Sequence, residues 1–127
     1  MFGNKRGKEI YGYRKDYVLF DLETTGLDTK KDKIVEIGAL RVRDGQITEE
    51  FSTLVNPECE IPKVVIDLHG ITNEMTKDSP VIKEALQMFD DFIGEDILLG
   101  QNIRDFDLPI IWRECEDNFG KQKPYYL

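Results

Sequence analysis

The spacing of apolar positions changes period several times along this chain, and each change marks an element. The run Tyr17-Val-Leu-Phe-Asp-Leu-Glu23 is aromatic and β-branched and ends at the turn-like Thr24-Thr-Gly-Leu-Asp28, which predicts a strand over 17–23. A second strand is expected over Ile34 to Val42, a hairpin turn at Asp44-Gly45, and a third strand over Ile47 to Val55, stopped by Asn56-Pro57. Pro62 to Leu68 predicts a short helix with proline in its first turn and Gly70 as its stop.

Ser79-Pro80 predicts the start of a longer helix, with Ser79 as N-cap and Pro80 as the first helical residue. Val81, Ala85 and Met88, with Leu86, Phe89 and Phe92 alongside, give it an apolar face, and Gly94 ends it. Asp96 to Gly100 reads as a short buried strand, and Phe106 to Asn118 as an amphipathic helix with Pro109 in its first turn and Gly120 as its cap. The final Lys121-Gln-Lys-Pro-Tyr-Tyr-Leu127 reads as the start of a fifth strand. Residues 1–16 are polar and without period, and are expected to form a loose leader. The order β-β-β-α-α-β-α-β predicts an α/β fold: a mixed sheet of three meandering strands, then alternating helix and strand, with helices on its faces.

Composition narrows the partners. With 127 residues, the chain suits one domain with a single modest core. No stretch approaches the roughly 18 apolar residues of a membrane span, and the N-terminus has no apolar signal region. Cys59 and Cys115 are far apart and belong to no metal-type cluster, so reduced thiols and a cytoplasmic location are expected. The net charge is −8, with residues 1–16 locally basic at five Lys/Arg against two Asp/Glu. That balance disfavours a protein that coats duplex nucleic acid. It does not disfavour one that holds a few nucleotides beside divalent cations, which reverse the local field.

Asp21 and Glu23 are the first residues to carry chemistry. Two apart on a strand, they point to one face, ~6.5 Å apart at the backbone. Adjacent carboxylates repel each other and need a positive partner, and hard divalent cations choose carboxylate oxygens. The plainer alternative is that this face is open to water and the acids are simply solvated. Asp107 begins a helix after a buried strand and the amide-bearing Gln101-Asn102 loop; its plain alternative is a first-turn acid favoured by the helix dipole.

The block Phe20-Asp-Leu-Glu-Thr-Thr-Gly-Leu-Asp28 resembles the first motif of the DnaQ-like (DEDD) 3′–5′ exonucleases, nearly residue for residue. Asn102, Phe106 and Asp107 resemble the second motif, with Gln101 in place of its common histidine. The likeness implies a ribonuclease H-like fold and 3′–5′ hydrolysis of single-stranded DNA or RNA, releasing nucleoside monophosphates. It further implies a two-ion Mg²⁺ or Mn²⁺ site held by Asp21, Glu23 and Asp107. Thr24, Thr25, Gly26 and Leu27 would line the terminal nucleotide, with small side chains admitting it close to the backbone. Asn102 and Phe106 would shape the pocket wall. Leu68-His-Gly-Ile-Thr72 resembles the family's substrate loop and assigns His69 and Ile71 to substrate contact, although a lone histidine is more often structural. Glu36 also recurs in the family, with a structural role at least as well supported.

Two rival readings stay open. Haloacid-dehalogenase-like phosphatases also end a first strand in an acid pair, but their second acid is a shorter Asp. A non-catalytic nucleic-acid-binding remnant of the exonuclease fold is the other. It is favoured because the family's third motif, a late His or Tyr and a fourth carboxylate, has no counterpart after Asp107, where no histidine occurs. The resemblance covers 17–127, about two-thirds of a family domain, so the last helices are expected to be missing and activity weak. Loss of cover is expected to expose Leu19, Ile37 and part of the Phe106 to Trp112 helix, and so to drive homodimer formation. A polymerase partner is a further implication of the resemblance.

Overall fold

A computed structural model of the chain describes residues 7–8, 15–100, 103–121 and 125–126. Its centre is a four-stranded sheet in the order β4-β3-β2-β5, built from β2 (Tyr17–Thr24), β3 (Ile34–Arg43), β4 (Gln46–Leu54) and β5 (Leu98–Leu99). The three long strands meander antiparallel, and β5 joins β2 in parallel, so the strand carrying Asp21 and Glu23 is interior to the sheet. Asp44 and Gly45 both take positive φ, 50° and 77°, which is the backbone a tight two-residue hairpin requires.

Strict alternation in β2 buries Val18, Phe20 and Leu22 on one face. Ile37 and Ala39, their partners on β3, lie on the same face. Helices α3 (Ile82–Ile93) and α4 (Leu108–Phe119) cover it with Ala85, Leu86, Phe89, Ile93, Leu108, Ile111 and Trp112. The Phe89 ring stands 5.5 Å from that of Phe20 and 6.3 Å from that of Phe51. Phe89→Ala would therefore cost about 3–5 kcal/mol. Arg43 grips both carboxylate oxygens of Asp96 at 2.8 and 2.9 Å, while Arg41 lies over the Phe92 ring at 4.2 Å. These contacts tie the turn before β5 to the sheet.

A smaller core of Val35, Ile61 and Ile71 sits under α1 (Lys63–His69), which ends at Gly70 in the left-handed region (φ 77°). The two cores divide at a bulge. Pairing steps from Glu23↔Glu36 to Thr24↔Ile34, so Ile34 joins the large core and Val35 the small one.

Several expectations need correction. The long helix begins at Ile82, not at Ser79-Pro80. Ser79 Oγ donates to Met75 O, closing the short helix α2 (Asn73–Thr76), and Val81 is extended and bridges to Asn56. The last predicted helix starts as a π-helical turn over Ile103–Asp107 before α4. Tyr125–Tyr126 is a strand (β6), but it pairs in parallel with Gly7–Lys8 (β1) as a separate ribbon, not with the main sheet. A short strand therefore lies within the stretch read as a loose leader. Ile37 and Trp112 are buried, not uncovered; Leu19 alone of the named residues is substantially exposed, at 37%. Both α3 and α4 lie on one face of the sheet, leaving the face of Leu19 and Asp21 open.

Candidate active site

On β2, Asp21 and Glu23 share the face opposite the large core, as the period of two requires. Asp21 is exposed and stands beside Gly38 of β3, where an added Cβ would meet nothing within 4 Å. Glu23 is half-buried and directly faces Glu36. Its carboxyl is raised above the ordinary value, first by burial, then by Asp21; the nearby His69 opposes the rise and Glu36 adds to it.

Asp107 arrives from the other side, at the junction of the π-helical turn and α4. It is 3% exposed, and its side chain makes no capping hydrogen bond to α4. Its Oδ2 is buried without a hydrogen-bond partner among the described residues. Burial, then the charges of Asp21 and Glu23, push its carboxyl up to about 7. The charges that raise it thus come from a different element, β2. A first-turn acid favoured by the helix dipole would be solvated or capping, and Asp107 is neither. A buried, unpaired acid at a π-helical turn is a familiar marker of a functional position.

The loop after β2 is held from within. Thr24 Oγ1 donates to Gly26 O at 2.6 Å, and Thr25 Oγ1 to Asp32 Oδ1 at 2.9 Å. Asp32 Oδ2 accepts from Asp28 N at 2.8 Å. Any Cβ at Gly26 would lie 2.5 Å from Asp32 Oδ2. Gly26 therefore makes room for the Asp32 carboxylate. Leu27, by contrast, is 85% exposed.

His69 Nδ1 accepts from Ile71 N at 3.1 Å, so its Nε2–H is the donor to Thr24 O, also at 3.1 Å. Both ring nitrogens are occupied, and the histidine fastens the end of α1 to the end of β2. Ile71 is 5% exposed and packs with Val35 and Ile61 in the small core. Phe106 is half-buried against the large core. Gln101 and Asn102 lie outside the described residues.

Two residues of this neighbourhood were not singled out from the sequence: Asp32 and Arg113. Arg113 of α4 donates from Nη1 to Thr29 O at 2.7 Å and from Nη2 to Asp32 O. No spacing rule links a helix residue to a loop 81 positions earlier, so no signal in the sequence could have found that contact.

The carboxylates of Asp21, Glu23 and Asp107 are oxygen donors of the kind that Mg²⁺ or Mn²⁺ takes, and one Asp107 oxygen has no partner among the described residues. Among the described residues, no group of three or more His, Cys, Asp or Glu side chains is gathered closely enough to hold a metal ion, so these acids form an open set and not a cage. No helix among them is long and apolar enough to cross a membrane.

A family model described as Exonuclease (RNase T) matches residues 18–126. The chain is 42% identical over 102 residues to a DNA polymerase III PolC-type of Clostridium perfringens, covering 80% of this chain and 7% of that protein. It is 40% identical over 106 residues to a DNA polymerase III subunit epsilon of Aquifex aeolicus, covering 84% and 52%. Among solved structures, Exonuclease X in complex with 5′ overhanging duplex DNA superposes with a TM-score of 0.68 at 26% identity, covering 87% of this chain and 58% of that one. Escherichia coli Exonuclease I in complex with a dT13 oligonucleotide gives 0.75 at 18% identity, covering 88% and 25%, a likeness of fold. The chain thus spans about half, or far less, of the relatives it matches.

Proposed function

The chain belongs to the RNase T exonuclease family, and on that premise we propose that it carries the acid site of a 3′–5′ exonuclease acting on single-stranded DNA or RNA ends. The observation that carries the reading is the buried Asp107 oxygen with no partner among the described residues, electrostatically coupled to Asp21 and Glu23 on the neighbouring strand. Asp21, Glu23 and Asp107 would hold the divalent ions, Mg²⁺ or Mn²⁺. Bound there, two such ions supply an activated water and charge stabilisation at the leaving 3′ oxygen. The protein's own part is positional. The β2 alternation aims two acids at one face, the π-helical turn brings the third, and Leu27 stands out beside them as a wedge for the terminal base. His69 supports this end of β2 through Thr24 O and has no nitrogen free to act as a base.

This chain supplies three carboxylates and no histidine after Asp107. Groups that act as a catalytic unit fail together, so cleavage by these 127 residues alone is proposed to be slow. The open ligand set specifically favours a second reading, in which the chain binds strand ends without cutting them. The polymerase III relatives support a replicative polymerase partner and a cytoplasmic location. The open face of the sheet supports pairing with a second copy. A titration of Mn²⁺ against the wild-type chain tests the ligand set: binding that weakens at least about tenfold in Asp21→Asn is expected, and no binding at all would contradict it.

A further inference from the structure

We propose that Arg113 and Asp32 form a strap that sets the spacing between the strand end bearing Asp21 and Glu23 and the helix start bearing Asp107, making both of them positioning residues for the metal site. The inference rests on the exonuclease reading above and deepens it, because both residues bond to the β2–β3 loop and neither is among the proposed metal ligands.

Each link of the strap is visible. Arg113 belongs to the same helix that Asp107 opens, and its guanidinium fork takes two backbone carbonyls of the β2–β3 loop, Thr29 O at 2.7 Å and Asp32 O. Asp32 in turn lodges its carboxylate under Thr25-Gly26-Leu27, accepting from Thr25 Oγ1 and Asp28 N. Thr25 is 5% exposed and is paired back to Lys33 through both its amide and its hydroxyl, at 2.8 and 3.0 Å. It follows Glu23 by only two residues. A rigid path therefore runs from α4, through the loop, to the end of β2. Gly26 permits it, since a Cβ there would strike the Asp32 carboxylate.

The strap carries a largely buried charge. The Arg113 side chain is only 17% exposed. Its nearest carboxylate, Glu114, is 3.6 Å away, and its Nε is buried with no acceptor among the described residues. Replacing a whole buried ion pair by apolar side chains is often neutral for stability, but removing Arg113 alone leaves the buried Glu114 carboxylate without this cation. What a planar fork uniquely provides is two fixed bonds at once.

The test compares Mn²⁺ affinity, read by electron paramagnetic resonance of the free ion, with thermal unfolding in EDTA for the 127-residue chain. Arg113→Met keeps the volume and loses both donors; Arg113→Lys can hold one carbonyl. The expected result is at least about a tenfold loss of affinity in Arg113→Met, partial recovery in Arg113→Lys, and a melting temperature within a few degrees of wild type for Arg113→Lys, which keeps the charge beside Glu114. Asp32→Asn, which keeps its acceptor for Thr25 and loses the one for Asp28 N, should show the same loss and carries the test if Arg113→Met does not fold. Unchanged affinity in the folded variants overturns the strap alone. A wild-type chain that binds no Mn²⁺ overturns the metal reading and the strap together.

Discussion

Glu23 and Glu36 face each other directly across the β2–β3 ladder, as the last regular pair before the register shifts. Two carboxylates in that relation, with Asp21 two residues away, concentrate negative charge at the end of the sheet next to a bulge. Like charges opposite one another oppose pairing, and the cations proposed to bind here would offset that cost.

The metal-free chain should therefore gain from losing one of these charges. Glu36→Gln is expected to stabilise it by about 0.5 kcal/mol, or roughly 2 °C in melting temperature, in EDTA near neutral pH. A lower melting temperature would show that Glu36 has a favourable partner instead.

Asp107 gives the pH dependence. Its folded carboxyl titrates at about 7, above the ordinary 3.8, so the folded chain holds a proton that the unfolded chain releases earlier. The stability this contributes is complete below the unfolded value and is lost as pH rises toward 7. Asp107→Asn removes the loss. Without metal, the variant should gain on wild type by on the order of 1–2 kcal/mol between about pH 5.5 and 8, measured by urea unfolding. Excess Mn²⁺ should reverse the order at the higher pH. A variant that tracks wild type at both pH values would show that Asp107 is not held as described.

Gly26→Ala should destabilise by about 1–3 kcal/mol, because Asp32 is anchored by two hydrogen bonds and cannot swing aside. A neutral outcome in urea unfolding would mean that the loop is not packed around Asp32.

These predictions separate what the residue pattern could tell from what it could not. Alternation placed β2, its two acids and its buried partners, and the Asp44-Gly45 turn fixed the β3–β4 register, because both signals are local. Ser79-Pro80 misled, since a hydroxyl before proline looks the same whether it caps the next helix or closes the previous one. Ile71 and Gly26 sat in motifs whose likeness suggested substrate contact, and their packing against Val35 and the Asp32 carboxylate was not legible there. The Arg113 contact depends on tertiary placement alone. So does the shift of Tyr125–Tyr126 to a ribbon with Gly7–Lys8, for which the local pattern offers no physical cue.

The open face of the sheet predicts assembly. Leu19 lies beside Leu40 on one side and Leu99 on the other, and Leu19 and Leu99 are each 37% exposed. Beside them runs a groove of about 350 Å³ that also reaches Asp21, Gly38 and Ser52. Light scattering at micromolar concentration should report a dimer for wild type and a monomer for Leu19→Lys. A wild-type monomer would show that this strip is too small to bring two chains together.

The most direct test of the site is the digestion pattern of a 5′-labelled single-stranded oligonucleotide incubated with the purified chain, in molar excess, and Mn²⁺. Slow shortening one nucleotide at a time from the 3′ end, abolished by EDTA, by Asp21→Ala and by Asp107→Ala, is the predicted result. A strand that stays at full length, loses only a terminal phosphate, or shortens equally well in both variants would contradict an exonuclease site built on these acids.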